Sequence, residues 1–143
     1  AATAPPPAER FGELRLHSFF RSSCSWRVRL ALAAKGLQYE YHGVNVPAGQ
    51  QLSESHRAVN PMEQVPVLEA TDRLTGERLT LRQSLAIIEF LDEAFPSRGA
   101  RLLPPGPLER CRAREMMEIV NSGTQPMQNM RLLQAMEAAG MDK

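Results

Sequence analysis

Between residues 14 and 46 the apolar pattern changes period twice, and this constrains the fold more than any other feature. Leu14, Leu16 and Phe19 sit near alternate positions, which reads as a half-buried strand of about five residues. Ser22-Ser23-Cys24-Ser25 interrupts the alternation with hydroxyl groups of the kind that accept from free amides at a helix start. Val28, Ala31, Leu32 and Ala34 then follow helical spacing, and Gly36 supplies a left-handed stop with Lys35 as a cation in the last turn. Tyr39, Tyr41, Val44 and Val46 return to the strand pattern until Pro47 and Gly49 end it. A strand, a helix and a strand in this order make a βαβ unit, with parallel strands joined by a right-handed crossover.

The remaining pattern extends that unit. Residues 50–60 are polar and read as a short irregular helix stopped at Asn60-Pro61. Val65-Pro66-Val67-Leu68 predicts a short strand with a proline at its entrance, and Leu79-Thr80-Leu81 its hairpin partner. Ser84 is expected to cap a helix whose stripe is Leu85, Ile88, Leu91 and Phe95, widened by Ile87 and ended by Pro96. The order is β-α-β-α-β-β-α, an α/β domain over residues 13–96. Residues 1–12 read as a disordered tail and 97–107, with three prolines and two glycines, as a linker. From Leu108 to Met136 the composition is helical, broken by Asn121-Ser122-Gly123 and Pro126. Met116, Met117, Ile119, Val120, Met130, Leu132, Leu133 and Met136 need burial that so short a segment does not provide. Residues 108–143 are therefore expected to be the first helices of an incomplete all-α domain, or to need a partner.

Composition excludes several classes. Seventeen basic residues stand against 16 acidic ones with no long single-sign run, so the electrostatic footprint of a nucleic-acid binder is missing. No stretch approaches the roughly 18 consecutive apolar residues of a membrane span. Two cysteines, Cys24 and Cys111, cannot build a disulfide framework or a four-ligand zinc site, and a reducing, cytoplasmic setting is expected, with a mitochondrial one as the alternative. The first residues carry no apolar core of a secretory signal, and the lack of an initiator Met suggests processing or a fragment.

Three joints of the fold carry candidate chemistry. At the first strand-to-helix turn, Ser22, Ser23, Cys24, Ser25, Trp26 and Arg27 lie where free amides and about half a positive charge favour an anion such as a thiolate. Serines stand at both ends of the turn where a dithiol motif would place cysteines, which argues against dithiol redox chemistry. A plain polar cap remains the alternative. At the second joint, Pro66 is a candidate cis proline that turns the Val65 backbone outward to pair with an extended ligand. At the third, Gln83 and Ser84 open a helix whose amides could hold a carboxylate. Cys111, in an Arg-rich helix, reads as structural.

Phe20-Arg21-Ser22-Ser23-Cys24-Ser25-Trp26-Arg27-Val28-Arg29-Leu30-Ala31-Leu32 resembles the signature of the zeta-class glutathione transferases, the maleylacetoacetate isomerases. Asn60-Pro61-Met62-Glu63-Gln64-Val65-Pro66, Gln83-Ser84-Leu85-Ala86-Ile87-Ile88-Glu89, Leu102-Leu103-Pro104 and Gln125-Pro126-Met127-Gln128-Asn129 are similar to that family in order and near spacing. The resemblance covers roughly residues 13–143 and implies a thioredoxin-like N-terminal domain with a mixed four-stranded sheet. It implies glutathione as cofactor, no metal, and cis-trans isomerisation of maleylacetoacetate in tyrosine and phenylalanine catabolism, with transferase activity on small α-halo acids. Ser22 and Cys24 would be the catalytic residues beside the sulfur. Ser23, Ser25, Trp26 and Arg27 would line the same turn, Val65 would pair with the cysteinyl part, and Gln83 and Ser84 would hold the γ-glutamyl carboxylate. Gln51 would be a further glutathione contact, and Gln125 and Asn129 residues of the helical segment facing the site. The implied partners are glutathione and a small dicarboxylate, and a second copy of the chain once the helical domain is complete. A binding module without chemistry and another glutathione-dependent transferase are the alternatives.

Overall fold

The computed structural model describes residues 10–141. Contacts divide the chain into two compact units, Ala1–Leu102 and Leu103–Lys143. In the first, β1 (Phe11–Ser18), α1 (Ser23–Ala34), β2 (Glu40–Gly43), α2 (Glu54–Val59), β3 (Val67–Asp72), β4 (Arg78–Arg82) and α3 (Ser84–Ala94) follow one another, with a 3-10 turn at Gln50–Leu52 before α2. The four strands make one mixed sheet in the order β2-β1-β3-β4. β1 runs parallel to β2, with Arg15 opposite Glu40, and antiparallel to β3, with Leu16 opposite Leu68. β3 and β4 form the antiparallel hairpin, Ala70 facing Leu79.

The sheet uses its two faces differently. Leu14 and Leu16 of β1, Leu68 and Ala70 of β3, Val28 and Leu32 of α1, and Ile87 and Leu91 of α3 join in one buried cluster. On α3 the expected Ile87, Leu91 and Phe95 are buried together with Ser84, Asp92 and Ala94, while the expected Leu85 and Ile88 are only half-buried. Arg15, His17 and Glu69 occupy the alternate register positions and form a polar layer. His17 Nε2 lies 2.8 Å from Glu69, Arg78 donates to the same carboxylate at 3.2 Å, and the α2 ring of His56 stands 6.1 Å from that of His17.

Several expectations are corrected. β1 starts at Phe11, inside the segment read as a tail up to residue 12; residues 1–9 lie outside the described residues. Arg10 is salt-bridged to Asp72 at 2.6 Å and the Phe11 ring meets Phe90 edge-on at 5.1 Å. A register shift between Gly12 and Arg15, with Glu13 at φ 49°, hides this strand from a period-two reading. β2 spans only Glu40–Gly43, all exposed, and β3 starts at Val67 rather than Val65. Residues 97–102 are not free linker: Ala100 N–H donates to Ala34 O at 2.9 Å and Leu102 N–H to Asp92 at 2.8 Å. Gly99 permits this approach, because a Cβ there would fall 2.1 Å from Ala34 O.

α1 ends as a paired-carbonyl stop. Gly36 at φ 63° donates to Ala33 O and Leu37 to Leu32 O, both at 3.0 Å, and Leu37 packs into the core with Leu32. Lys35, expected as a cation in the last turn, stands at the C-cap, is 1% exposed, and its ammonium donates to Asp92 of α3 at 2.9 Å. Burial requires that partner, since an isolated ammonium in the interior is strongly disfavoured.

In the second unit α4 (Pro107–Glu118) continues as a π-helical turn at Ile119–Thr124 and a 3-10 turn at Gln125–Gln128, then α5 (Met130–Ala138). The break expected at Asn121-Ser122-Gly123 is thus taken up by widened helix rather than by a loop. None of these elements holds a buried residue, and Cys111, read from sequence as structural, is exposed.

Candidate active site

The first joint is built by the turn between β1 and α1. Ser22 is extended at φ −72°, ψ 120°, and its Oγ accepts the Ser25 N–H at 3.1 Å, capping α1. Accepting uses a lone pair only, so the Ser22 O–H remains available to donate. Arg29 donates to Ser18 Oγ and to the carbonyls of Phe19 and Phe20, at 2.9–3.3 Å, and fixes the loop that delivers this turn. Cys24 is half-buried in the first helical turn, and no acidic side chain lies there to offset the partial positive charge of the helix start.

The second joint precedes β3. The Val65-Pro66 bond is cis, and because β3 begins only at Val67, the Val65 N–H and C=O lie outside the sheet ladder and have no partner among the described residues. The third is the start of α3. Gln83 at φ 72°, ψ 116° is a side chain in the left-handed half of backbone space, a conformation that costs of order 1–3 kcal/mol. It occupies the N-cap position without a side-chain cap, whereas Ser84, expected as the cap, is the first helical residue. The amides at this helix start are therefore uncapped and no carboxylate stands in the first turn. Arg27 reaches across from α1 and donates to Ser84 Oγ at 3.2 Å.

Cys24, Asn60, Gln64, Val65, Pro66, Gln83 and Ser84 line one small cavity. The three joints, up to 60 residues apart in sequence, thus meet at one place. Of the other expected residues, Arg27 is tied to this cavity through Ser84, while Ser23 and Trp26 are exposed, Trp26 to 59%. Ser25 is fully buried, and its hydroxyl has no partner among the described residues. Gln51 lies in the 3-10 turn and is not among the residues lining the cavity; its Oε1 is buried with no partner among the described residues. Gln125 and Asn129 belong to the second unit, where the Asn129 side chain caps α5 by accepting the Arg131 N–H at 2.9 Å.

Sequence reasoning missed His56 and Asn60. Both are buried, and both donate to the Gln64 carbonyl, from His56 Nε2 at 3.0 Å and from Asn60 Nδ2 at 2.8 Å. The sequence marks Asn60 as half of a helix-stopping Asn-Pro pair and as the start of a family-like run, without a role of its own. Behind them, burial moves His17 below the ordinary histidine range against the pull of Glu69. Burial works to raise Glu69, but the bonds from Arg78 and His17 prevail and hold it low.

The family model of the glutathione S-transferase N-terminal domain matches residues 21–94, just over half of the chain and all three joints. The chain belongs to the glutathione S-transferase family. Maleylacetoacetate isomerase of Rattus norvegicus is 46% identical to this chain over 124 residues, 85% of this chain and 54% of the relative. A maleylacetoacetate isomerase structure from Anaeromyxobacter dehalogenans 2CP-1, with GSH bound in its active site, is 50% identical with a TM-score of 0.77, covering 89% of this chain and 57% of that one. A second structure of the same enzyme, at TM-score 0.76 and 48% identity over 89% of this chain and 56% of that one, holds dicarboxyethyl glutathione and citrate. Maleyl pyruvate isomerase, a bacterial zeta-class transferase, is 36% identical with a TM-score of 0.78 over 90% of this chain and 57% of that one. The chain spans about half the length of the curated relatives it matches. Among the described residues no helix is long and apolar enough to cross a membrane.

Proposed function

We propose that this chain carries the glutathione-binding half of a zeta-class glutathione transferase that isomerises maleylacetoacetate to fumarylacetoacetate. The observation that carries the reading is the meeting of the α1 turn, the unpaired Val65 backbone and the uncapped α3 start around one cavity. These groups fit glutathione. Unpaired backbone suits an extended peptide, and an uncapped helix start suits its γ-glutamyl carboxylate. When bound, glutathione supplies a thiolate that adds reversibly to an activated cis double bond, letting the carbon–carbon axis rotate before the sulfur leaves.

The chain's own residues bind, orient and stabilise. Ser22 donates its free O–H to the anionic sulfur, and the α1 amides around Cys24 add their partial charge. The Val65 backbone pairs with the cysteinyl unit. Gln83, Ser84 and the α3 amides hold the carboxylate, with Arg27 fixing the Ser84 hydroxyl from α1. The orphaned Gln51 Oε1 is a free acceptor for an N–H. The roles of Gln125 and Asn129 rest on their motif alone. The substrate class is a small dicarboxylate, the assembly a homodimer and the setting cytoplasmic. Light scattering on the protein from its natural source and fractionation of the cells test the last two.

Ser22→Ala should lower isomerase turnover about ten- to a hundredfold, the worth of a hydrogen bond to a charged group, while the lost cap costs only about 1 kcal/mol of stability. Parental turnover in that variant, measured with maleylacetoacetate and saturating glutathione, would remove Ser22 from the thiolate. Cys24→Ala should be milder, within about tenfold, because glutathione supplies the sulfur. Turnover that needs Cys24 and not glutathione would make Cys24 the nucleophile and overturn the scheme.

A further inference from the structure

We propose that His56 and Asn60 are positioning residues for glutathione, which together clamp the Gln64 carbonyl and thereby aim the Val65 N–H at the ligand. The inference rests on the proposed pairing of glutathione with the Val65 backbone. The Gln64 C=O and the Val65 N–H belong to one planar trans peptide unit and point in opposite directions. Whatever fixes the carbonyl therefore fixes the amide. Asn60 Nδ2 and His56 Nε2 take this carbonyl from α2 and the turn after it, at 2.8 and 3.0 Å, so both of its lone pairs are engaged and Val65 N–H faces the other way.

The clamp is itself anchored. Asn60 is 2% exposed and its Oδ1 accepts the Met62 N–H at 3.1 Å, which leaves its amide group for Gln64. His56 is 5% exposed, and its backbone N–H donates to the α2 cap Ser53 Oγ at 3.2 Å. Between Asn60 and Gln64 the chain turns through Glu63 at φ 58°, where Glu63 N–H donates to Asn60 O at 2.9 Å and its carboxylate pairs with Arg57 at 2.7 Å. Neither His56 nor Asn60 needs to touch glutathione. They act through the peptide plane, and because a carbonyl only accepts, His56 must carry its proton on Nε2.

Calorimetric titration of the full chain with glutathione tests the clamp. His56→Phe keeps a buried ring without the donor and should raise the glutathione Kd about three- to tenfold. His56→Gln returns an N–H at comparable reach and should restore the Kd to within about twofold, a rescue that a filler of space would not show. Parental affinity in His56→Phe overturns the positioning role and leaves the glutathione site standing. No glutathione binding by the parental chain overturns both. The ring nitrogen spectrum of the parental protein decides without any variant: a proton on Nε2 of His56 is expected, and a proton confined to Nδ1 excludes the clamp.

Discussion

α3 and α5 are both amphipathic helices of similar length, yet one closes a core and the other does not. α3 lays Ile87, Leu91 and Ala94 against a sheet already backed by α1. α5 carries Met130, Leu132, Leu133 and Met136 and buries none of them, and Met116, Ile119, Val120 and Met127 before it are also exposed. An apolar stripe becomes stabilising only when a second layer removes it from water. The first unit contains both layers. The second leaves large apolar side chains in water along α4, the turns after it and α5, an exposure that a covering layer or an interface would relieve.

The broadest way to break this contrast is amide exchange. Amides of β1, β3, α1 and α3 should exchange about a thousandfold or more slowly than those of α4 and α5. Comparable protection of both in a dilute, demonstrably monomeric sample would show that the second unit closes a core unaided. A pair of substitutions sharpens the contrast at single residues. Leu91→Ala, at a position with no exposure, should cost about 2–5 kcal/mol in denaturant unfolding, whereas Leu132→Ala, 42% exposed, should stay within about 0.5 kcal/mol.

The smallest effect is acidic and confined to the first unit. His17 is lowered by burial, so the unfolded chain takes up a proton before the folded one, and stability is lost as pH falls from about 6.5 toward the folded value. Glu69, held low by Arg78 and His17 against its burial, and Asp72, held low by Arg10, contribute stability fully present above about pH 4.5, lost as pH falls through their folded values. Tm of the first-unit transition should therefore fall in two stages on acidification. A rise in Tm between pH 7 and 5.5 would contradict the assignment for His17.

What could be read from sequence follows one rule: local order was legible and through-space partners were not. Residues 22–27 are consecutive, so the α1 turn shows itself as a run of side chains, and the helical periods around it follow from burial against one sheet face. Phe11 was lost because the irregularity at Gly12–Arg15 breaks the alternation. Ser84 looked like a cap because hydroxyls prefer that position, but the left-handed Gln83 moves the helix start by one residue and gives the Ser84 hydroxyl to Arg27. His56 and Asn60 sit in a polar stretch and bond a carbonyl beyond the helix, with the His56 ring near His17 of the sheet, and such through-space partners have no periodic signature.

The Lys35–Asp92 pair also determines what the surface offers to reagents. The chain has two lysines, Lys35 and Lys143, and fifteen arginines. Lys35 is sealed inside with its ammonium engaged, and Lys143 lies outside the described residues. Guanidinium groups thus make up the cationic side chains on the described surface, apart from any histidine that is protonated. Amine-directed cross-linkers, acylating labels and enzymes that modify lysine ammonium groups find no accessible target there, whereas dicarbonyl reagents selective for arginine find many.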